Sequence, residues 1–147
     1  MSDETYVPSD PELRSILGDA RTVAVVGLSS NPLRDSYEVA EYLQSKGYRI
    51  VPVNPNETEV LGERAYASLS DIPQDIEVDV VDVFRRADQT PGVAEQAVAR
   101  GAKVLWLQEG IANDEARLIG EAAGMSVVMG VCMRKQSLRL EQDGGDA

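Results

Sequence analysis

The chain has no histidine and a single cysteine, Cys132, in 147 residues. Without histidine there is no His-dependent triad, no phosphohistidine, no imidazole metal ligand and no ordinary neutral-pH acid–base pair. One cysteine excludes an internal disulfide and a cysteine-cluster metal site. No apolar run approaches the ~20 residues of a membrane-spanning helix. Lysine is confined to Lys46, Lys103 and Lys135. The formal net charge of −11 disfavours nucleic acid and anionic membranes as partners. Acidity with little lysine points to a halophilic source. The acidic N-terminus, Met1-Ser-Asp-Glu-Thr5, has no signal-peptide pattern, so the expected location is the cytoplasm.

What is present is organised around Val23-Ala-Val-Val-Gly27-Leu-Ser29-Ser30-Asn31-Pro32-Leu-Arg34-Asp35-Ser36. A β-branched apolar run reads as a buried strand. A small-residue turn follows, and Asp35 or Ser36 stands where a helix cap is expected. Strand, turn and helix in this order place backbone N–H groups and a helix N-terminus where an anion sits well.

The remaining pattern predicts one domain over 10–140. It is flanked by a flexible N-terminus, 1–9, and a disordered acidic tail, 141–147. Ser9 or Asp10 caps a first short helix ending at Gly18. Strands are predicted over 22–28, 48–53, 78–84, 103–107 and 126–129. Helices are predicted over 36–45, 89–100, after Asn113 or Asp114, and over 134–140. The stretch from Asn54 to Gly62 reads as loop, with one extended piece at Ala65-Tyr66 and one helical turn at 68–72. Alternating strands and helices imply an α/β fold: a single Rossmann-like, doubly wound domain with a five-stranded, mainly parallel sheet covered on both faces. The expected order is 3-2-1-4-5, counting these strands along the chain. Ligands bind such sheets at their carboxyl edge, where the winding reverses.

The suggestive polar residues all follow strands. A nicotinamide dinucleotide is the default ligand, but the turn is not G-x-G-x-x-G. Val53 and Asn54 also stand where an acidic residue would bind the ribose hydroxyls. A Walker loop is absent, and adenosylmethionine domains usually want the same second-strand carboxylate.

Six segments in order, over 22–132, resemble the CoA-binding domain family, in particular its small stand-alone members. They are Val25-Val-Gly27-Leu-Ser-Ser-Asn31-Pro with Arg34 and Ser36, Val53-Asn-Pro55, Gly62-Glu-Arg-Ala-Tyr66, Asp79-Val-Val-Asp-Val-Phe84-Arg, Trp106-Leu-Gln-Glu109-Gly-Ile111 and Val131-Cys-Met133. The chain is also distantly similar to the CoA-binding domain of the succinyl-CoA synthetase alpha subunit. The resemblance implies bound coenzyme A or an acyl-CoA. Its phosphate loop falls on Ser29, Ser30, Asn31 and Pro32, and the pyrophosphate is expected on the loop that starts at Gly27. The position after the second strand falls on Asn54 and Pro55, and that after the fourth on Leu107, Gln108 and Glu109.

The chemistry of the residues agrees with this reading. Arg34, Arg85 or Arg86 suits a phosphate, and Ser36 lies at the start of the following helix. Phe84 offers an apolar face, and Gln108 matches the amides of pantetheine. Two departures stand out. The ligase subunit has a lysine beyond the second strand where this chain reads Asn56-Glu57, and its second domain carries a phosphorylated histidine that this chain lacks. The expectation is therefore a CoA-binding module with no catalytic residue and no metal, and with a homodimer as the plausible assembly. Two alternatives remain. One is a component of a split acyl-CoA ligase or transferase that needs a ligase-like partner subunit. The other, resting on the fold alone, is an NAD(P)-dependent oxidoreductase.

Overall fold

A computed structural model describes residues 5–144. Residues 1–4 and 145–147, which the sequence reading assigns to the flexible N-terminus and the acidic tail, lie outside the described residues.

The first helix, α1 (Asp10–Asp19), starts at Ser9, whose hydroxyl accepts the Glu12 N–H. Strand β1 (Thr22–Val26) is buried along its whole length. Next come α2 (Asp35–Ser45) and β2 (Arg49–Val53). A small antiparallel hairpin, β3 (Glu59–Val60) and β4 (Glu63–Arg64), follows in the stretch that reads as loop in the sequence. Leu61 and Gly62, at φ 56° and 78°, make its tight turn. Beyond it are β5 (Val80–Val83), α3 (Thr90–Arg100), β6 (Val104–Leu107), α4 (Asp114–Ala122), β7 (Ser126–Met129) and α5 (Met133–Gly144). Asn113 caps α4 through its side chain, which accepts the Ala116 N–H at 2.9 Å.

The five long strands form one parallel sheet, β2-β1-β5-β6-β7, as the apolar runs predict. The order within it differs from the expectation. Counted along the chain it is 2-1-3-4-5, with the third long strand beside the first instead of outside the second. The connection from β2 to β5 holds only the hairpin and one short helical turn at Leu69–Asp71, not a full covering helix. The outer edge of β2, weakened as a donor by Pro52, pairs among the described residues only with Tyr66. The winding therefore reverses between β1 and β5, the switch point at which doubly wound sheets of this order bind ligands.

Side chains alternate across the sheet. Val23, Val25, Val80 and Trp106 pack against α1, α2 and α5. Ala24, Val26, Val81, Val83, Leu105 and Leu107 pack against α3 and α4. Both faces are thus closed, and the strand ends are left as the place for chemistry. The outer edge of β7 is covered by an antiparallel bridge from Tyr6 to Met129, with N···O distances of 3.0 and 2.9 Å. Part of the segment read as flexible is therefore paired. At the other terminus α5 runs to Gly144, past the expected end at 140. No helix among the described residues is long and apolar enough to cross a membrane.

Candidate functional site

Gly27 joins three strand ends. Its N–H donates to the Val53 carbonyl at 2.8 Å, and its φ is +89°. A Cβ built there would lie 2.5 Å from the Phe84 carbonyl oxygen, so only glycine lets the loop after β1 pass the end of β5. From this point the chain makes a compact turn. The Ser29 N–H donates to Ser36 Oγ at 3.1 Å, and the Asn31 N–H to Ser29 Oγ at 3.0 Å. The Leu33 N–H donates to Asn31 Oδ1 at 3.0 Å. Ser36 therefore ties the loop down and does not cap α2. The N-cap is Arg34, with no side-chain cap bond. The loop after β2 is fastened alongside: Asn54 Nδ2 donates to the Leu28 carbonyl at 3.0 Å.

Together these loops enclose a cleft of about 790 Å³. Nine of the residues expected at the site line it: Gly27, Ser29, Arg34, Ser36 and Asn54 from the first two loops, with Phe84, Arg85, Arg86 and Glu109 from the far side. Arg85 is held by Gln89, whose Oε1 accepts from its Nε at 2.9 Å. Arg86 pairs loosely with Asp88 at 3.5 Å, in solvent. A second cleft of about 380 Å³ adjoins the first, sharing Asp35, Phe84, Glu109 and Ile111 as walls. Its inner end is made by Gln108 and Cys132, and its rim by the ion pair of Lys135 Nζ with Glu109 Oε1 at 2.9 Å. A larger, polar-walled cleft therefore opens into a smaller one floored by an amide and a thiol.

Behind that floor lies Asp82, fully buried in the central strand. Gln108 Nε2 donates to its Oδ1, and its Oδ2 has no partner among the described residues. Burial pushes the Asp82 carboxyl up to about 7, against the lowering effect of the Gln108 hydrogen bond. Cys132 is 8 % exposed, and burial raises its thiol, opposed by the backbone N–H groups of Lys135 and Arg134 at the start of α5.

Five expected residues do not line either cleft. Leu107 is fully buried and belongs to the core beneath α3 and α4, because alternation along β6 turns it away from the Gln108 side. Pro32 and Pro55 are exposed turn residues. Ser30 and Asn31 act through the loop backbone, with the Asn31 side chain spent inside the turn. Conversely, Glu57, Asp35, Ile111 and Lys135 stand in the cleft walls without having been expected as ligand contacts, and Cys132, just after β7, stands there with them.

A further cavity of about 290 Å³ lies at the opposite, amino edge of the sheet, beside Glu12, Asp19, Asp79 and Lys103. Its most enclosed carboxylate, Asp79, is engaged by the backbone N–H groups of Arg21 and Thr22 at 2.8 and 3.0 Å. Among the described residues, no group of three His, Cys, Asp or Glu side chains is placed to hold a metal ion.

Comparison with known proteins bears on this geometry. A family model described as a CoA binding domain matches residues 21–136. The uncharacterized protein YneT of Bacillus subtilis is 43 % identical over 127 residues, spanning 86 % of this chain and 93 % of that protein. The solved structure of a hypothetical protein from Pyrococcus horikoshii OT3 superposes with a TM-score of 0.87 at 39 % identity, covering 94 % of this chain and 98 % of that one. The alpha subunit of the ADP-forming acetate–CoA ligase II of Pyrococcus furiosus is 38 % identical over 67 residues, which are 45 % of this chain but only 15 % of that subunit.

Proposed function

The chain belongs to the CoA-binding domain family, and from that premise we propose that it holds coenzyme A or an acyl-CoA across the two joined clefts, without catalysis of its own. The observation that carries the reading is their confluence at the switch point: a polar cleft beside Gly27 and Arg34 opens into a narrow one ending at Gln108 and Cys132. In this reading the pyrophosphate lies on the turn from Gly27 to Asn31, with Arg34 as its cation. Arg85 and Arg86 stand across the cleft. The pantetheine arm passes Phe84, and its amides meet Gln108, which can donate and accept. The thiol or acyl end points toward Cys132. Absence of histidine leaves no phosphoryl relay within these 147 residues.

The test is calorimetric titration with CoA, acetyl-CoA and NAD. One-to-one binding of the CoA compounds and none of NAD supports the reading, and preference for NAD overturns it.

A second reading is favoured by the ligase likeness. On the likeness to a ligase alpha subunit, the chain would present CoA to a partner subunit bearing the reactive histidine. Co-purification of such a subunit with the tagged chain, together with CoA-dependent acyl transfer by the pair, supports it. A chain that purifies alone with CoA bound favours the simple binding module.

A further inference from the structure

The phosphate loop meets its own anion. Every N–H from residue 29 to residue 34 has an acceptor, and all but one lie within the turn itself: Ser36 Oγ, Ser29 Oγ, Asn31 Oδ1 and the Asn31 carbonyl. The exception is Ser30. Its N–H donates to Glu57 Oε2 at 2.9 Å, a carboxylate reaching across from the loop after β2.

The main chain around Glu57 is held in place. The Glu57 N–H donates to the Asn54 carbonyl at 3.2 Å, and the Asn54 side chain is bonded to Leu28. The carboxylate itself is only half-buried and has no ion pair among the described residues. Arg34, in the same cleft, has no side-chain partner among them either.

A charged acceptor on a loop amide, with an unused arginine nearby, is the arrangement a bound phosphate would make. We propose that Glu57 sets the affinity of this site by seating its own carboxylate at the Ser30 amide, so that a ligand phosphate binds only by displacing it. The inference rests on the proposed CoA reading and deepens it, by naming the residue that tunes the phosphate end. The physical reason is competition plus repulsion. Two anions cannot share one donor, and a carboxylate a few ångströms from a pyrophosphate opposes it. Only the side chain need rotate, since the hydrogen bonds that shape the turn do not involve it.

The test is calorimetric titration of the wild-type protein, Glu57→Gln and Glu57→Ala with two probes, CoA and inorganic pyrophosphate, at low and high salt. Glu57→Gln removes the charge but keeps an acceptor for Ser30, and Glu57→Ala removes both. Tightening of CoA by about fivefold or more in Glu57→Ala, with Glu57→Gln between it and the wild type and a smaller gain at high salt, is the expected result. Equal CoA affinity in all three proteins overturns the inference and leaves the CoA reading intact. Weaker CoA binding in Glu57→Ala also overturns it, by making Glu57 a ligand contact. If CoA binds none of the proteins while pyrophosphate binds Glu57→Ala more tightly, the inference holds and the CoA reading falls. If neither probe binds any of them, both fall.

Discussion

A Cβ on Gly27 would stand 2.5 Å from the carbonyl oxygen of Phe84. The loop that leaves the first strand and the end of the third long strand are therefore in backbone contact, and both clefts depend on that contact. With φ at +89° as well, the position penalises any side chain twice. Gly27→Ala is expected to lose roughly 1 kcal/mol or more of stability and to weaken CoA binding. Urea denaturation and titration of the same sample check this. Wild-type stability and affinity in the variant would show that the two loops can separate freely.

Arg34 lines the larger cleft and has no side-chain partner among the described residues. If it pairs with the ligand phosphate, Arg34→Ala costs about tenfold in CoA affinity or more. The variant also binds with a shallower dependence on salt, because one ionic contact is gone. An unchanged affinity and salt slope would assign the phosphate to Arg85 or Arg86 instead.

Asp82 makes stability depend on pH with an uncommon sign. Its folded-state pKa of about 7 stands above the ordinary value of 3.8 because the carboxyl is buried. Between those values the folded chain keeps a proton that the unfolded chain has released. This group's contribution to stability is therefore present at low pH and is lost as pH rises through the window, by up to about 1.4 kcal/mol per pH unit. Asp82→Asn removes the contribution. The difference in unfolding free energy between the two proteins should shift in the variant's favour from pH 4 to pH 7 and level off above it. A difference that is flat across the range would show Asp82 ionised throughout.

Trp106 is the single tryptophan, and it is fully buried, with Nε1 donating to the Val131 carbonyl at 2.8 Å. That bond ties β6 to the turn before Cys132, which floors the narrow cleft. Trp106→Phe should cost roughly 1–3 kcal/mol through the lost bond and the space left behind. The wild-type emission should shift to the red in one cooperative step on unfolding. A variant of unchanged stability would mean the turn is held without it.

Much of this was legible in the residues alone. The run Val23–Val26 and the caps at Ser9 and Asn113 mark elements the structure contains. The strand order was not legible, because 3-2-1-4-5 and 2-1-3-4-5 use the same alternation of strands and helices. The one signal was the lack of a helical pattern between Val53 and Val78. The hairpin at 59–64 has strands of two residues each, too short to show a period.

At the site, nine expected residues line the larger cleft, but the family resemblance groups Leu107 with Gln108. Their alternation along β6, with Leu105 and Leu107 on the face opposite Trp106, separates the two. The seat of Glu57 has no local signature, since its acceptor role joins residues 27 positions apart.

The most direct test of the account is native mass spectrometry of the protein mixed with CoA and NAD at equal concentration. Retention of one CoA per chain, lost when Ser30 and Asn31 are replaced by bulky acidic residues, is the predicted result. Retention of NAD, or CoA retained undiminished by those replacements, would contradict the placement of its pyrophosphate on the turn beside Gly27.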